Sequence, residues 1–84
     1  MPVLPRFDIQ GQVALVTGAA RGLGRVYARD LVSRGAARVY GAARDPAAVT
    51  DPDVTPVALD ITDPQQVAQV AQQCADVSML VNNA

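Results

Sequence analysis

One short apolar run followed by three closely spaced glycines constrains this chain more than any other feature. Val13-Ala14-Leu15-Val16-Thr17 leads directly into Gly18-Ala19-Ala20-Arg21-Gly22-Leu23-Gly24. The run is short and apolar on both faces, which fits a strand covered on both sides in a parallel sheet. After the glycines the pattern turns helical, from about Gly22 to Arg34. Leu23, Val26, Tyr27 and Leu31 recur at helical spacing and predict one apolar stripe facing the core. Gly35 stands where a left-handed glycine would end that helix. The glycines permit a tight turn and let backbone N–H groups approach a ligand with no Cβ in the way. The positive end of the helix dipole faces the same turn, which suits a pyrophosphate. Gly24, in the first helical turn, lets the helix lie close to the strands. No Gly-Lys-Ser/Thr follows, so the turn is not a triphosphate-binding loop.

The remaining pattern repeats this alternation. Arg38 to Ala43 reads as a second strand. Arg44 to Pro56, rich in Pro and Asp, reads as a loop with at most one helical turn around Ala47-Ala48-Val49. Val57-Ala58-Leu59 reads as a third strand ending at Asp60. Asp63-Pro64 is a strong helix start, an N-cap carboxylate followed by Pro at the first helical position. Val67, Val70, Ala71 and Cys74 then recur on one face. Met79-Leu80-Val81 is a fourth strand, running into Asn82-Asn83-Ala84. Strands alternating with helices imply an α/β fold with a parallel sheet and right-handed crossovers. The expected architecture is a Rossmann-like doubly wound sheet, represented by its first four strands in the order 3-2-1-4. That order leaves the apolar fourth strand at an edge with no charge to block pairing. The 84 residues on their own are therefore expected to be marginally stable or to aggregate.

The ionisable inventory narrows the chemistry. All seven basic residues are Arg and all eight acidic residues are Asp, for a net charge of -1, and there is no His. A Lys Schiff base, a Ser-His-Asp triad and a His-containing zinc site are all excluded within this chain. No metal site is expected. The single Cys74 excludes an internal disulfide. On an apolar helix face it reads as a buried, inert thiol. The near-neutral mixed charge implies no nucleic-acid partner and no anionic membrane surface. No apolar run reaches the roughly 20 residues of a membrane span. The first residues lack a signal-peptide pattern, so a cytoplasmic location is expected.

With these residues in view, the chain resembles the short-chain dehydrogenases/reductases, in their compact single-domain form. Thr17-Gly18-x-x-x-Gly22-x-Gly24 is similar to the family's cofactor turn. Phe7-Asp8-Ile9-Gln10-Gly11-Gln12-Val13 resembles the lead-in to its first strand. Leu59-Asp60-Ile61-Thr62-Asp63 resembles the segment after its third strand, and Asn82-Asn83-Ala84 the start of its Asn-Asn-Ala-Gly motif. The resemblance covers residues 7–84. It implies cofactor binding by Gly18, Ala20, Arg21, Gly22, Leu23 and Gly24 in the turn. It implies an adenine contact from Asp60 and Ile61, and Asn82 and Ala84 at the ligand-binding edge of the sheet. Asn82 could equally serve to tie neighbouring strands, and Asp60 to close a strand-end turn. Ser78 departs from the family pattern, which commonly has Asp before the fourth strand.

The choice of cofactor rests on the end of the second strand. Dinucleotide folds that prefer NAD usually carry an acid there, about 20 residues past the turn, to bind the ribose 2′-hydroxyl. Ala43 stands at that place, and Arg44 follows it. Arg21 stands in the glycine turn. Two guanidinium forks would attract a 2′-phosphate, and within the resembled family basic residues at these places imply NADP(H). Asp45 argues the other way: turned toward the ribose, it would let NAD bind as well.

The family mechanism also needs a Tyr, a Lys four residues later and a Ser, none of them supplied here. Tyr27 is followed at that spacing by Leu31, and no Lys exists. No catalytic residue is therefore assigned. The resemblance implies the N-terminal part of a larger dinucleotide-binding domain, from a homo-oligomeric oxidoreductase acting on a small carbonyl or alcohol substrate. The alternative is a freestanding module that binds a dinucleotide or a partner chain without catalysis. The coding sequence separates the two. A frame continuing past residue 84 into Tyr-x-x-x-Lys is expected; a stop codon there, with a stable folded product, would favour the module.

Overall fold

The computed structural model describes residues 9–83, so Phe7, Asp8 and Ala84 lie outside the described residues. Four strands form one sheet: β1 (Val13–Thr17), β2 (Arg38–Ala43), β3 (Thr55–Ala58) and β4 (Met79–Val81). Helix α1 (Gly22–Ser33) links β1 to β2, and α2 (Pro64–Gln73) links β3 to β4. A short 3-10 turn, Pro46–Ala48, lies between β2 and β3. The spatial order is β3-β2-β1-β4 and every pair is parallel. This is the Rossmann-like α/β arrangement that the alternating pattern implied.

Strand alternation divides the core into two layers. Ala14, Val16 and Val39 face α1 and pack with Ala28 and Leu31. Leu15, Tyr40, Ala42 and Val57 face the other way, toward Val70 of α2 and Cys74 at its C-cap. Burial on both faces is why β1 and β2 read as continuous apolar runs rather than alternating ones. Burial also pushes the Cys74 thiol pKa up, which suits an inert core role. Among the described residues, no helix is long and apolar enough to cross a membrane.

Both helices depart from the predicted stripes. In α1 the buried residues are Gly24, Ala28 and Leu31, whereas Leu23, Val26 and Tyr27 are exposed. The small residues at positions 24 and 28 let the helix axis approach the sheet, and that rotation turns the larger apolar side chains outward. In α2 and its C-cap, Val70 and Cys74 are buried, but Val67 and Ala71 are exposed. The third strand also begins earlier than expected and includes Pro56. A proline is tolerated there because β3 is an edge strand and needs no donor on its open side. The ladder is extended beyond β3 by the Leu59 N–H, which donates to the Ala43 carbonyl at 2.9 Å.

Helix ends follow local rules closely. The Asp63 carboxylate accepts from the N–H groups of Gln65 (3.0 Å) and Gln66 (3.5 Å), with Pro64 in the first turn. Gly35 closes α1 at φ +89°, and its N–H donates to the Val32 carbonyl. Ser78, where the resembled pattern has Asp, still ties β1 to β4. Its hydroxyl donates to Gln12 and accepts from the Val13 N–H.

Two stability changes are expected. A Cβ on Gly41 would lie 2.7 Å from Val54 Cγ1, 3.0 Å from Val49 Cγ1 and 3.1 Å from Ala19 Cβ. All three neighbours are buried, so Gly41→Ala should cost about 1–3 kcal/mol by overpacking. Removing the α2 cap with Asp63→Ala should cost about 1 kcal/mol, whereas Asp63→Asn should cost little. Urea denaturation of the variants checks both.

Candidate functional site

The C-terminal ends of three parallel strands meet around one cleft of about 350 Å³. Gly18 follows β1, Ala42 and Ala43 end β2 with Arg44 next, and Leu59, Asp60, Ile61 and Thr62 follow β3. This is the edge at which open α/β sheets bind ligands. A second cleft of about 320 Å³ has Ala43 and Arg44 in common with it and adds Ala20, Arg21, Asp45 and Ala48. The fold therefore gathers Gly18, Ala20, Arg21, Arg44, Asp60 and Ile61 from three separate segments. Gly22, Leu23, Gly24 and Asn82 line neither cleft.

Those four residues have other surroundings. Gly24 is buried against the turn, and a Cβ there would collide with the Gly18 carbonyl and crowd the Asn83 side chain. Gly22 has φ +62° and open space where a Cβ would be. Gly18 has φ +64°. Both are left-handed values that favour glycine. Leu23 is exposed on the outer side of α1. Asn82 is exposed beyond β4, and its Oδ1 lies 3.2 Å from Thr17 Oγ1. Its strand-tying role is thus present in the geometry. Ala84 lies outside the described residues.

Two residues at this end of the sheet were not singled out from the sequence. Thr17 is a buried polar residue whose hydroxyl donates toward Asn82 and accepts from the Asn83 N–H at 2.8 Å. Asn83 lies over the glycine turn, its Nδ2 3.4 Å from where a Gly18 Cβ would be. The signal was the Asn-Asn doublet itself, but a doublet does not say which side chain faces the neighbouring strand.

The start of α1 also differs from the start of α2. Arg21 occupies the N-cap in extended conformation and makes no side-chain cap, and the first turn holds no acid. The first N–H groups of α1 thus have no side-chain acceptor of the kind Asp63 gives α2. With the dipole behind them, they form an electropositive end next to the glycine turn.

Asp60 closes a local turn. One carboxylate oxygen accepts from the Thr62 hydroxyl at 2.6 Å and from the Thr62 N–H at 2.9 Å. Its own N–H donates to Gln66 Oε1 at 2.7 Å. The two Thr62 hydrogen bonds, with a smaller attraction from Arg44, hold the Asp60 pKa below its ordinary value. A depressed carboxylate pKa favours the folded state above the unfolded pKa, and that support is lost as pH falls through the folded value. The Asp60 carboxylate thus closes a strand-end turn through one of its two oxygens. Ile61 beside it is 57% exposed and offers an apolar surface to the cleft.

A parallel sheet, a glycine turn at the end of β1 and a cleft along the C-terminal edge together define a dinucleotide-binding type of domain. The family model described as short chain dehydrogenase matches residues 12–84, and the chain belongs to that family. It is 38% identical over 85 residues to a sorbitol dehydrogenase of Cereibacter sphaeroides, covering 90% of this chain and 33% of that protein. It is 37% identical over 86 residues to the 3-oxoacyl-(acyl-carrier-protein) reductase FabG of Salmonella typhimurium, covering 92% and 35%. Among solved structures it is similar to a short chain dehydrogenase from Burkholderia cenocepacia in complex with NADP. That match has a TM-score of 0.88 at 45% identity and covers 93% of this chain and 34% of the other. The Pseudomonas aeruginosa RhlG/NADP complex matches with a TM-score of 0.80 at 33% identity, covering 93% and 36%. The chain spans about a third of the length of the curated relatives it matches.

The Asp60 geometry makes a direct prediction. Thr62→Val removes the shorter hydrogen bond and should raise the Asp60 pKa toward its ordinary value. Thr62→Ser should leave it low. Carboxyl carbon shifts followed by NMR through an acid titration report both.

Proposed function

We propose that this chain is the cofactor-reading portion of an oxidoreductase that transfers hydride between NADP(H) and a small carbonyl or alcohol substrate. The observation that carries the reading is the cleft beside β2. It brings Arg21 and Arg44 together next to Ala43, where an NAD-preferring fold would hold an acid. Asp45, the residue that argued for NAD, has its Oδ1 accepting the Ala47 N–H at 3.0 Å. The family relatives solved with NADP support the same reading.

The residues present fit such a cofactor. The backbone at Gly18 and Gly22 and the uncapped start of α1 would receive the pyrophosphate. Arg21 and Arg44 would hold the 2′-phosphate, with Ala20 lining the same cleft. Asp60 would accept from the adenine amino group, and Ile61 would cover the ring. Gly24 acts indirectly, by letting α1 seat against the turn. Leu23, Asn82 and Ala84 remain candidates by their places in the motif alone. Once bound, the nicotinamide supplies the hydride donor or acceptor. No Lys or His is present to move the accompanying proton.

Fluorescence titration with NADPH and NADH tests the proposal. NADPH should bind at least tenfold more tightly. Arg44→Ala should weaken NADPH by about 10-fold or more, the scale of a lost charge-assisted hydrogen bond, and change NADH less than about twofold. Tighter binding of NADH by the unaltered protein would refute it.

A further inference from the structure

We propose that Gln66, in the first turn of α2, is a positioning residue for the adenine end of the cofactor cleft. It acts through the Asp60 backbone, and its loss is felt selectively at the adenine amino group. This inference rests on the adenine role given to Asp60 in the reading above and deepens it.

The start of α2 is not an ordinary capping box. In such a box, a Glu or Gln at the third helical position reaches back to the N–H of the N-cap residue. Here the N-cap is Asp63, and Gln66 is the third residue of the helix. The Asp63 N–H, however, donates to the Asp60 carbonyl at 3.0 Å. Gln66 reaches past it, and its Oε1 accepts the Asp60 N–H at 2.7 Å. The Gln66 N–H itself donates to Asp63 Oδ1 at 3.5 Å. The box is thus opened out to enclose the whole turn from Asp60 to Asp63.

That turn is one wall of the cleft of about 350 Å³, where Leu59, Asp60, Ile61 and Thr62 contribute the lining. Its hydrogen bonds are of two kinds. Asp60 Oδ1 accepts from the Thr62 hydroxyl and N–H, and the Asp60 carbonyl accepts from Asp63. These bonds give the turn its shape and move with it. Two others fix its place in the fold. The Leu59 N–H ties it to the Ala43 carbonyl of β2, and the Asp60 N–H ties it to Gln66. Helix α2 is seated on the sheet through Val70, so Gln66 is a fixed base. The bond to Gln66 is part-buried, so without it the Asp60 peptide must turn toward water to recover a partner. That turning redirects the Asp60 side chain and the Ile61 that follows.

The contacts of the cofactor would respond unequally. A hydrogen bond from the adenine amino group to the Asp60 carboxylate is directional and weakens steeply off axis. Cover of the ring by Ile61 is apolar and non-directional, and tolerates a small shift. The phosphates would be held elsewhere, at the start of α1 and beside β2. A residue that only stabilised α2 would lower the melting temperature and leave recognition of the amino group unchanged.

The experiment is equilibrium titration with NADPH and with its hypoxanthine analogue, in which a carbonyl replaces the adenine amino group. The unaltered protein is compared with Gln66→Met, Gln66→Asn and Gln66→Glu. Met keeps the length of the side chain without a strong acceptor, Asn is too short to reach, and Glu keeps the acceptor. The unaltered protein should favour NADPH over the analogue by about 10-fold or more. Gln66→Met and Gln66→Asn should weaken NADPH by about 3- to 10-fold and change the analogue by less than about twofold. Gln66→Glu should keep the original ratio, because its added charge acts on both dinucleotides alike. Amide hydrogen exchange without cofactor gives a second readout. The Asp60 N–H should exchange about 10-fold faster in Gln66→Met than in the unaltered protein or Gln66→Glu. An unchanged affinity ratio in Gln66→Met overturns the positioning role, as does a Glu variant that behaves like Met. Equal exchange in all variants overturns the tie itself. Should Gln66→Met not fold, Gln66→Asn decides in its place. An unaltered protein that does not bind NADPH, or binds the analogue equally well, overturns the reading on which this inference rests. That result precedes any substitution, so the two failures are distinguishable.

Discussion

The approach of α1 to the end of β1 is the constraint on which the rest of this structure depends. At Gly24 there is no room for a Cβ, because the Gly18 carbonyl occupies that space. The helix can therefore begin directly against the turn, with its N–H groups aimed at the sheet edge. Ala28 continues the close contact one turn later. Behind the turn, Thr17 ties the end of β1 to Asn82 and Asn83 beyond β4. These hydrogen bonds are part-buried, and breaking them would leave the buried Thr17 hydroxyl without its partners. The edge of the sheet is thus organised before any ligand is considered.

The same packing has a cost in exposed apolar surface. With small residues turned inward, Leu23, Val26 and Tyr27 face outward on α1, and Leu80 is 63% exposed on β4. In these residues the core is thin and built mostly from Val and Ala, with Val16 and Val39 as its largest fully buried side chains. Ion pairs add little to it. Arg29 bridges Asp51 and Asp53 across the surface at 3.2 and 3.0 Å, but its side chain is half exposed. Exposed pairs of this kind contribute little beyond fixing a loop.

Much of the fold was legible in local sequence. The Asp63-Pro64 start of α2, the Gly35 end of α1 and the continuous apolar runs of β1 and β2 each follow from short-range rules. The stripes of the helices were less legible. Periodicity locates large apolar residues, but the sheet selected the face with the smallest ones. Pro56 misled in the same way, since whether proline fits a strand depends on whether that strand is at an edge. Around the cleft, the glycines and Arg44 could be named from their spacing and Asp60 from the family resemblance, whereas the contacts of Thr17 and Asn83 could not. Their roles exist only where β1 and β4 lie side by side.

By itself, the order of residues determined the alternation of strand and helix, the glycine turn after β1 and the absence of any Lys or His chemistry. Those properties are local or compositional and do not depend on what folds against what. The tertiary structure alone decided that Arg21 and Arg44, separated in the chain by all of α1, border one cleft. It also decided that Asp45 spends one oxygen on the Ala47 N–H beside them. The physical reason is the parallel sheet. It brings the C-terminal ends of β1, β2 and β3 to one edge, so residues far apart in sequence contribute charge to the same few ångströms.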